Sequence, residues 1–557
     1  MIRLTELKLP LDHDTESLHA LVRKTLSLAA EDLLRVTVFK RSVDARKAAL
    51  VLVYIVDVEL ARADLLHLIL QRHAGDPHVL PTPDMDYRLV RRAPADWPAG
   101  SALRPVVVGF GPCGIFAALL LAQMGLRPIV LERGKSVRER TLDTWGLWRK
   151  GELNPESNAQ FGEGGAGTFS DGKLWTQIKD PRYLGRKVMQ EFVRAGAPEE
   201  ILVDAHPHIG TFKLVKVVEN MRRQIAAMGG EIRFQQRVAD LLVDGCAADR
   251  QARTRQIHAL SVLDVATGMP YELRADHVVL ALGHSARDTF AMLHGKAVAM
   301  LAKPFSIGFR IEHPQSLIDR ARWGRHAGHP SLGAAEYRLV HHAANGRSVY
   351  SFCMCPGGTV VAATSEAGCV ATNGMSQYSR NERNANAGIV VGITPADYPV
   401  QDGLPVQLAG IALQRRLESS AYVLGGSSYA APGQLVGDFL AGRPSTGWGD
   451  VQPSYQPGVR PASLSTALPT YAVDAIREAL PVFGRKINGF DMFDAVLTGV
   501  ETRTSSPLNI TRGEDFQSLN VRGLFPAGEG AGYAGGILSA GVDGIRVAEM
   551  VAKDLLA

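Results

Sequence analysis

Apolar and polar positions at the start of the chain recur in the order expected of alternating strands and helices. The predicted elements are a strand near residues 2–8, a helix over 16–27, strands over 35–42 and 49–58, a helix over 60–72 and a strand near 87–91. This βαββαβ order is compatible with a ferredoxin-like α+β fold. A Pro- and Gly-rich stretch follows over 93–100, so we expect residues 1–98 to form a separate domain.

RNA-recognition domains share this element order, which leaves two interpretations of the first domain. Such domains stack bases on exposed aromatic residues within a basic, glycine-rich strand motif. The strands predicted here, which include residues 36–39 and 52–55, contain no such motif. We therefore favour an interaction or lid module over RNA binding.

An apolar run over residues 105–108 has the length and composition of a strand buried on both faces, as in a parallel sheet. Gly109 and Gly111 allow a tight turn that brings the backbone close to a phosphate, and Gly114 allows a helix to pack closely on the strand. Pro112 suits the first helical turn, because its missing N–H would have no partner there. This pattern predicts a turn that holds a dinucleotide pyrophosphate.

The helix predicted over 115–124 leads into a second apolar strand at 128–131, which ends at Glu132. An acidic side chain at this spacing is the residue type that binds ribose hydroxyls in dinucleotide sites. A carboxylate there also disfavours a 2′-phosphate, which argues against NADP at this site.

Later segments complete the predicted dinucleotide domain. They are a strand at 231–234, a β-rich crossover over 240–275, a buried strand at 276–283, a strand at 524–529 and a final helix over 536–555. Residues 290–510 are glycine-rich and predict an irregular, β-rich substrate domain. We expect an α/β protein: a Rossmann-like domain with a parallel sheet and β-crossover, residues 99–289 and 511–557, with an inserted domain at 290–510.

A second glycine-rich motif lies near the end of the sequence, where Gly528 and Glu529 precede Gly535 and Gly536. One glycine motif alone would be weak support, but the front and rear motifs together predict FAD. The N–H groups at the start of the final helix would stabilise negative charge on a reduced flavin.

A third glycine-rich segment covers residues 162–173, with five glycines and one large apolar residue, Phe169. Such a loop can approach a flat ligand closely. Ser170, Asp171 and Lys173 could hydrogen-bond the isoalloxazine ring, and a lysine near the flavin N5 would assist hydride arrival. The alternative is a plain surface loop.

The strings QFGEGGAGTFSDGKL at 160–174, CMCPGG at 353–358 and RTSSP at 503–507 add to this motif order. Together they resemble a bacterial family of FAD-dependent (NAD(FAD)-utilising) dehydrogenases, within the two-dinucleotide-binding flavoproteins of glutathione reductase type. The resemblance implies that Glu132 binds the adenosine ribose, that Val238 meets the adenine through its backbone, and that Glu529 lies near the ribitol and pyrophosphate. The turn from Ala281 to Gly283 departs from the commoner Ala-Thr-Gly form.

The predicted FAD contacts come from all of these segments. They are Gly109, Gly111, Pro112, Cys113, Gly114, Glu132, Arg133, Gly167, Thr168, Ser170, Asp171, Lys173, Val238, Ala281, Gly283, Gly528, Glu529, Gly535, Gly536 and Ile537.

Catalytic candidates are Lys173, Cys353, Cys355 and His284. A disulfide across a Cys-x-Cys spacing would be strained and therefore labile, so the two cysteines are either a redox pair or small buried side chains, and we favour the second. His284, Glu312 and His313 are candidate proton donors or structural polar groups.

Two further groups of residues carry weaker signals. We expect Cys113 to be structural. Cys369, His341 and His342 lie near one another in sequence without the spacing of a zinc site, so we predict no metal.

Bulk properties limit the remaining possibilities. A chain of 557 residues with 46% hydrophobic and 21% charged residues predicts two or three globular domains. A net charge of +5 gives no electrostatic footprint for nucleic acid or membrane. The five cysteines, which include Cys246, are too few and too unevenly spaced for a secreted disulfide framework. No signal-peptide core is present and the longest apolar stretch, 48–58, is too short to span a bilayer, which predicts a cytoplasmic protein.

The sequence therefore predicts an FAD-dependent oxidoreductase, a dehydrogenase or reductase, that acts on a small molecule. NAD(P)H could be a transient reductant, or the substrate itself could reduce the flavin. Two alternatives remain. One is an FAD-dependent RNA-modifying enzyme, and the other is a flavin-binding interaction protein whose N-terminal domain recruits a protein partner.

Overall fold

The structure is a computed structural model that describes residues 1–46, 49–245 and 255–557. Cys246 and Ala48 lie outside the described residues. The first unit has the predicted order β1 (Ile2–Pro10), α1 (Thr15–Leu26), β2 (Leu33–Asp44), β3 (Val51–Leu60), α2 (Asp64–Arg72) and β4 (Val79–Pro81). Its antiparallel sheet has the strand order β2-β3-β1-β4. Apolar side chains of β1, α1 and β3 form its core.

The last strand of this unit differs from the prediction. It is β4, which pairs with β1 through Val79 and Leu4, whereas residues 87–91 form no strand. Tyr87 and Leu89 instead pack against the core of the following domain, and the Tyr87 hydroxyl donates a 2.9 Å hydrogen bond to Glu549. The segment is apolar because it contacts that domain, and not because it pairs in a sheet.

The middle of the chain forms β5 (Val106–Val108), α3 (Pro112–Gln123), β6 (Ile129–Glu132), α4 (Val137–Lys150), α5 (Leu184–Arg194), α6 (Thr211–Ala227), β7 (Glu231–Phe234), β8 (Gln236–Asp244), β9 (Arg255–Asp264), β10 (Pro270–Arg274), β11 (Val278–Leu280), α7 (Arg287–Gly295) and β12 (Met300–Ala302).

The remainder forms β13 (Phe305–Pro314), α8 (Gln315–Trp323), β14 (Val340–His342), β15 (Ser348–Ala362), β16 (Thr372–Ser376), β17 (Asn384–Ile393), α9 (Val406–Leu424), β18 (Ala431–Leu435), α10 (Val436–Ala441), β19 (Val459–Pro461), α11 (Thr470–Lys486), β20 (Val496–Glu501), β21 (Leu508–Ile510), β22 (Val521–Arg522), β23 (Leu524–Pro526) and α12 (Ile537–Leu555).

A five-stranded parallel sheet with the order β23-β11-β5-β6-β7 organises the dinucleotide domain. Helices α3 and α12 cover one face of it, and the β8-β9-β10 meander covers the other. Helix α3 is apolar all round and buried from Cys113 to Ala122, because it contacts both the sheet and α12. The predicted strand–turn–helix, the crossover and the final helix are all found.

The segment of the chain between β12 and β21 forms a larger sheet. Its strand order is β14-β15-β17-β13-β20-β18-β19, and β16 pairs with β15. The strands agree with the β-rich prediction, but the helices α8 to α11 were not predicted there, and neither were α4 to α6. Helix α9 contains glycine and α11 runs through Pro481, and such residues interrupt a helical pattern in the sequence. Within the described residues, no helix combines the length and the apolar character needed to cross a lipid bilayer.

Candidate functional site

The glycine turn after β5 is packed so tightly that it leaves no room for side chains. Gly109 has a φ of 98°, and a Cβ on it would lie 2.6 Å from the carbonyl oxygen of Ala281. A Cβ on Gly114 would lie 2.0 Å from the carbonyl oxygen of Gly109. Helix α3 starts at Pro112, and the N–H groups of a first helical turn have no partners inside the helix. With the helix dipole, they would favour an anion at this turn.

Cys113 in that first helical turn joins the front and rear glycine motifs. A Cβ on Gly528 would lie 2.8 Å from the Cβ of Cys113, and burial raises the pKa of the Cys113 thiol well above its usual value. The N–H of Gly528 donates a 2.8 Å hydrogen bond to Asp543, which is itself held by Arg512. The burial and close packing of Cys113 agree with the structural role that we expected, and its contact with FAD stays a prediction.

The carboxylate of Glu132 is buried and already bound by the backbone. Its two oxygens accept hydrogen bonds from the N–H groups of Phe110, Gly134 and Gly162, at 2.8, 2.9 and 3.0 Å. A carboxylate offers about four acceptor positions, so roughly one remains. The ribose contact of Glu132 stays a prediction that has to use this position.

Arg133 follows β6 and lies at the edge of a cavity. Its guanidinium pairs with Asp288 and Glu156 and lies 4.1 Å from the ring centre of Phe161. These residues, with Ser285 after β11, line a cavity of about 270 Å³. The carboxyl ends of parallel strands are where α/β sheets bind ligands, and this cavity lies beside the ends of β6 and β11.

Residues 162–173 form a bridging loop that contacts both ends of the predicted cofactor site. A Cβ on Gly165 would lie 2.9 Å from the Cα of Gly111, and a Cβ on Gly167 would lie 3.0 Å from the side chain of Ile537 at the start of α12. The loop therefore connects the front glycine turn with the start of the last helix.

Arg140, which the sequence did not single out, holds the start of the bridging loop. It is fully buried and donates hydrogen bonds to the carbonyl oxygens of Asn158, Ala159 and Glu163, at 2.7, 2.9 and 2.7 Å. Burial lowers the pKa of its guanidinium to about 10, so it stays charged at neutral pH.

Several side chains predicted to bind the flavin from this loop are used within the protein. Both carboxylate oxygens of buried Asp171 accept hydrogen bonds from Arg380, so its contact with the flavin stays a prediction that has to use the remaining acceptor positions. The Ser170 hydroxyl donates to the Gly167 carbonyl at 2.7 Å and accepts from the N–H two residues on. Thr168 Oγ1 is buried with no hydrogen-bond partner among the described residues.

The rear motif places an acid and an imidazole together. Nδ1 of His284 lies 3.3 Å from a carboxylate oxygen of Glu529, without hydrogen-bond geometry, and neither ring nitrogen has a hydrogen-bond partner in the described chain. The N–H of Gly535 donates to the Ser539 hydroxyl at 3.2 Å. The predicted contact of the Gly535 N–H with the flavin stays a prediction that requires this hydroxyl to turn away, and Gly536 forms the start of α12.

The remaining predicted contacts lie in the crossover and after β11. Ala281 donates its N–H to Val108 at 2.9 Å within the sheet, and the Val238 side chain is buried on β8 opposite Val262. Neither position tests the predicted contact with FAD.

The site passes a simple test of fit to a dinucleotide. A Cβ added to Gly283, Gly535 or Gly536 would meet nothing within 4 Å, and the next residue along the chain, His284, has no hydrogen-bond partner for its imidazole among the described residues. The region from the front turn to α12 thus contains open space, a side chain without hydrogen-bond partners and a helix N-terminus. These features define a dinucleotide-binding flavoprotein.

Filling this open space should remove the cofactor without damaging the fold. We expect Gly283→Val to keep the unfolding temperature of the apoprotein within about 2 °C, because surface-type substitutions without steric conflict change stability little. The same variant should retain much less FAD on purification, measured as flavin absorbance per protein. Normal flavin content would contradict the placement of FAD beside Gly283.

A second group, the thiol cluster, consists of Lys173, Arg310, Cys353, Cys355 and Glu501. Arg310 is fully buried on β13 and donates to the Cys353 carbonyl at 2.8 Å and to the Cys355 sulfur at 3.7 Å. Its Nη1 lies 3.5 Å from Glu501 on β20, with no hydrogen-bond partner among the described residues. Lys173 brings a positive charge from the bridging loop.

Two β-bulges produce this arrangement. The pairing of β15 with β17 shifts between Phe352 and Cys355, and the pairing of β13 with β20 shifts at Gly308, opposite Glu501. Bulges redirect side chains and are frequent beside active sites. Sequence periodicity cannot show them, which explains why Arg310 and Glu501 were missed.

The two thiols differ in acidity. The Cys355 S–H, with Lys173 and Arg310, lowers the pKa of the Cys353 thiol to about 6, although burial opposes this. The neighbouring Cys353 and burial raise the pKa of Cys355 well above its usual value. Burial raises the pKa of Glu501 to about 7. Cys355 is buried as we expected, but Cys353 is partly exposed and in a positive environment, which corrects its interpretation as a buried apolar residue.

Glu312 and His313, the other candidate proton donors, have structural roles. Glu312 is fully buried and accepts hydrogen bonds from Asn384 and Ser454. Nε2 of His313 lies 2.6 Å from the Phe490 carbonyl, and burial lowers the pKa of this imidazole to about 4. Both side chains are committed to hydrogen bonds within the larger sheet and its neighbours.

A buried triad of Arg287, Glu418 and Arg503 connects α7, α9 and the segment after β20. The Glu418 carboxylate binds both guanidinium groups at 2.7 to 3.0 Å and accepts from the Thr502 hydroxyl at 2.8 Å. These charges hold the pKa of Glu418 well below its usual range, against the effect of burial. Glu366, Cys369 and Glu418 lie close enough together to coordinate a metal ion. The two carboxylates are paired with arginines, so we assign no metal to this group.

Comparisons with known proteins agree with this class. A family model described as "FAD-dependent protein, C-terminal domain-like" matches residues 304–504, and one described as "Domain of unknown function (DUF8436)" matches residues 1–59. An "Uncharacterized protein" of Clostridium beijerinckii is 44% identical over 554 residues, which cover 99% of this chain and 98% of that protein. The chain belongs to this family of FAD-dependent proteins, and its cofactor is FAD.

More distant matches cover less. The dual trans-enoyl reductase/FAD-dependent monooxygenase tazHJ of Aspergillus terreus is 27% identical over 256 residues, 42% of this chain and 36% of that protein. The structure of the glycerol-3-phosphate dehydrogenase from Bacillus halodurans complexed with FAD is 12% identical, with a TM-score of 0.35, and the match covers 82% of this chain and 66% of that one.

Proposed function

We propose that the protein is an FAD-dependent oxidoreductase that moves a hydride or two electrons between its cofactor and a small molecule bound at the thiol cluster. The bridging loop carries this proposal, because it touches the front turn and α12 at Gly165 and Gly167 and also carries Lys173, whose positive charge lowers the pKa of Cys353. FAD supplies two-electron chemistry when it is bound. One loop thus links the predicted cofactor site to an acid–base and nucleophile cluster.

The protein's own residues would supply charge and protons. Lys173 and Arg310 favour anionic groups near Cys353, and Glu501 can hold or release a proton near neutral pH. At the other end, the N-terminus of α12 at Gly536 would stabilise negative charge. His284 and Glu529, 3.3 Å apart, form a second pair able to move a proton.

We further propose a Rossmann-like FAD domain with an inserted substrate domain in a cytoplasmic protein, with NADH or NADPH as a transient reductant. The four described cysteines are free thiols, which supports a reducing compartment. Only one glycine motif with a following acidic residue occurs in the sequence. A nicotinamide nucleotide would therefore bind briefly, without a dinucleotide fold of its own.

Anaerobic mixing of the purified holoprotein with NADH, and separately with NADPH, tests the proposal. We expect one of them to bleach the visible flavin band at a rate that saturates with nucleotide concentration. Bleaching by neither would contradict the role of these nucleotides and point to reduction by the substrate. Protein purified without flavin, and unable to bind added FAD, would contradict the function itself.

The first unit is proposed to be a ferredoxin-like module that covers the body of the protein. Arg41 on β2 exchanges backbone hydrogen bonds with residues 203 and 205, at 2.6 and 2.9 Å, and its side chain pairs with Asp204. This docking favours a lid over a recruitment module. We expect deletion of residues 1–98 to lower flavin content or turnover. Unchanged turnover with loss of a bound protein would favour recruitment.

A further inference from the structure

The thiol cluster contains two sulfur atoms with different surroundings at one bulge. Cys353 is partly exposed and faces the cationic groups of Lys173 and Arg310, whereas Cys355 is buried behind it. The Cys355 S–H lies 3.4 Å from the Cys353 carbonyl oxygen. A buried guanidinium nitrogen of Arg310 has no hydrogen-bond partner in the described chain. The partly exposed Cys353 thiol is thus accessible to a substrate, whereas the buried Cys355 thiol is accessible only to Cys353.

We propose that Cys353 and Cys355 form a redox-active dithiol whose substrates are disulfides. Cys353 is the attacking thiolate and Cys355 is the resolving thiol. This inference names the substrate class of the proposed oxidoreductase. Only the return of the oxidised pair to the dithiol, with two electrons from reduced FAD, rests on that proposed function.

The exchange is balanced without any further reactant. The Cys353 thiolate attacks one sulfur of the substrate disulfide, so that a mixed disulfide forms, the substrate S–S bond breaks and the first substrate thiolate leaves and takes a proton. Cys355 then loses its proton and attacks Cys353. A Cys353–Cys355 bond forms and the second substrate thiol leaves. The substrate gains two electrons, and the protein dithiol loses two.

The surroundings of the pair suit each step. Thiolates, and not thiols, attack disulfides, and a pKa near or below neutral keeps the attacking sulfur ionised. The groups that face Cys353 are Lys173 and Asp171 on the bridging loop, Arg310 on β13, Cys355 on its own strand and Glu501 on β20. A bridge between residues two apart is strained and therefore easily reduced, which suits a bond that has to reopen in each cycle.

Thiol counting on the holoprotein tests the proposal. The reduced protein is treated anaerobically with excess bis(2-hydroxyethyl) disulfide, quenched with acid, unfolded and alkylated with N-ethylmaleimide. Before treatment it should take five maleimides, one for each cysteine, and afterwards three, because five minus the bridged two leaves three. A count that stays at five would overturn the proposal.

Variants separate the two roles. Cys355→Ala should stop at a mixed disulfide on Cys353, seen by mass spectrometry of the peptide, whereas Cys353→Ala should form neither adduct nor bridge. Cys369→Ser, which removes another buried thiol outside the cluster, should still lose two thiols. An equal loss of thiols in Cys353→Ala would overturn the assignment of Cys353.

A pH profile provides a readout that a structural role would not change. The rate of alkylation of Cys353 by iodoacetamide should rise with a midpoint about three pH units below the ordinary thiol value, and the midpoint should move upward in Cys355→Ala. A midpoint at the ordinary value would contradict the proposal.

Two outcomes distinguish failure of this inference from failure of the proposed function. Flavin bleaching by NADH or NADPH with an unchanged thiol count would overturn the redox role of the dithiol but not the proposed oxidoreductase function. Thiol exchange in a protein that binds no flavin would overturn the proposed function alone.

Discussion

Glu418→Gln is expected to lower the free energy of unfolding by about 3–5 kcal/mol, because it leaves two buried guanidinium groups without their shared counter-charge. Arg287 and Arg503 both direct N–H donors at this carboxylate, and a glutamine would present its own N–H₂ group to one of them. Urea unfolding followed by circular dichroism measures the change, as the free energy of the first transition.

The matched control is Glu272→Gln on the exposed side of β10, which should change the same quantity by less than about 0.5 kcal/mol. The pH dependence gives a second check. Because the folded protein holds the pKa of Glu418 below its ordinary value, this stabilisation is fully present above about pH 4.5 and is lost as the pH falls. Equal effects of the two substitutions would contradict the role of the triad.

Gly114→Ala is expected to weaken FAD binding by about 30-fold or more. In an ordinary helix this change adds up to about 1 kcal/mol of stability. Here the new Cβ would lie 2.0 Å from the backbone carbonyl of Gly109, so the turn has to move. Overpacking of this kind costs about 1–3 kcal/mol, and about 2 kcal/mol corresponds to the stated loss in affinity. Titration of apoprotein with FAD, followed by flavin fluorescence, measures it.

The control for this variant is Gly295→Ala at the end of α7, where a Cβ would meet nothing within 4 Å. It should bind FAD as the unmodified protein does. If Gly114→Ala also bound FAD normally, the front turn would not be the pyrophosphate site.

Local patterns predicted the elements around the front glycine turn well. The strand β5, the glycine turn and α3 follow from a short apolar run, spaced glycines and a proline, since each of these acts within a few residues. The order of the first unit was found for the same reason. Its last strand was misplaced because Tyr87 and Leu89 are apolar for a tertiary reason, their packing against the core of the following domain, which a local pattern cannot contain.

The charged residues of the sites could not be predicted in this way. Arg140 and Arg310 are fully buried, but on a helix or strand an arginine suggests an exposed position. Their partners are backbone carbonyls and residues from distant segments. The pairing of Asp171 with Arg380 was missed for the same reason, since nothing near Asp171 in sequence indicates Arg380. Cys353 was misread because its positive neighbours come from β13 and the bridging loop.

The order of the elements also has a consequence for biosynthesis. Strand β23 and helix α12 complete the predicted FAD site but follow the whole larger sheet along the chain. A ribosome adds about 5–20 residues per second, so α3 emerges on the order of a minute before α12 can cover it. During that time the apolar α3 lacks the helix that covers it, and the predicted FAD site is complete only after translation has passed Gly536.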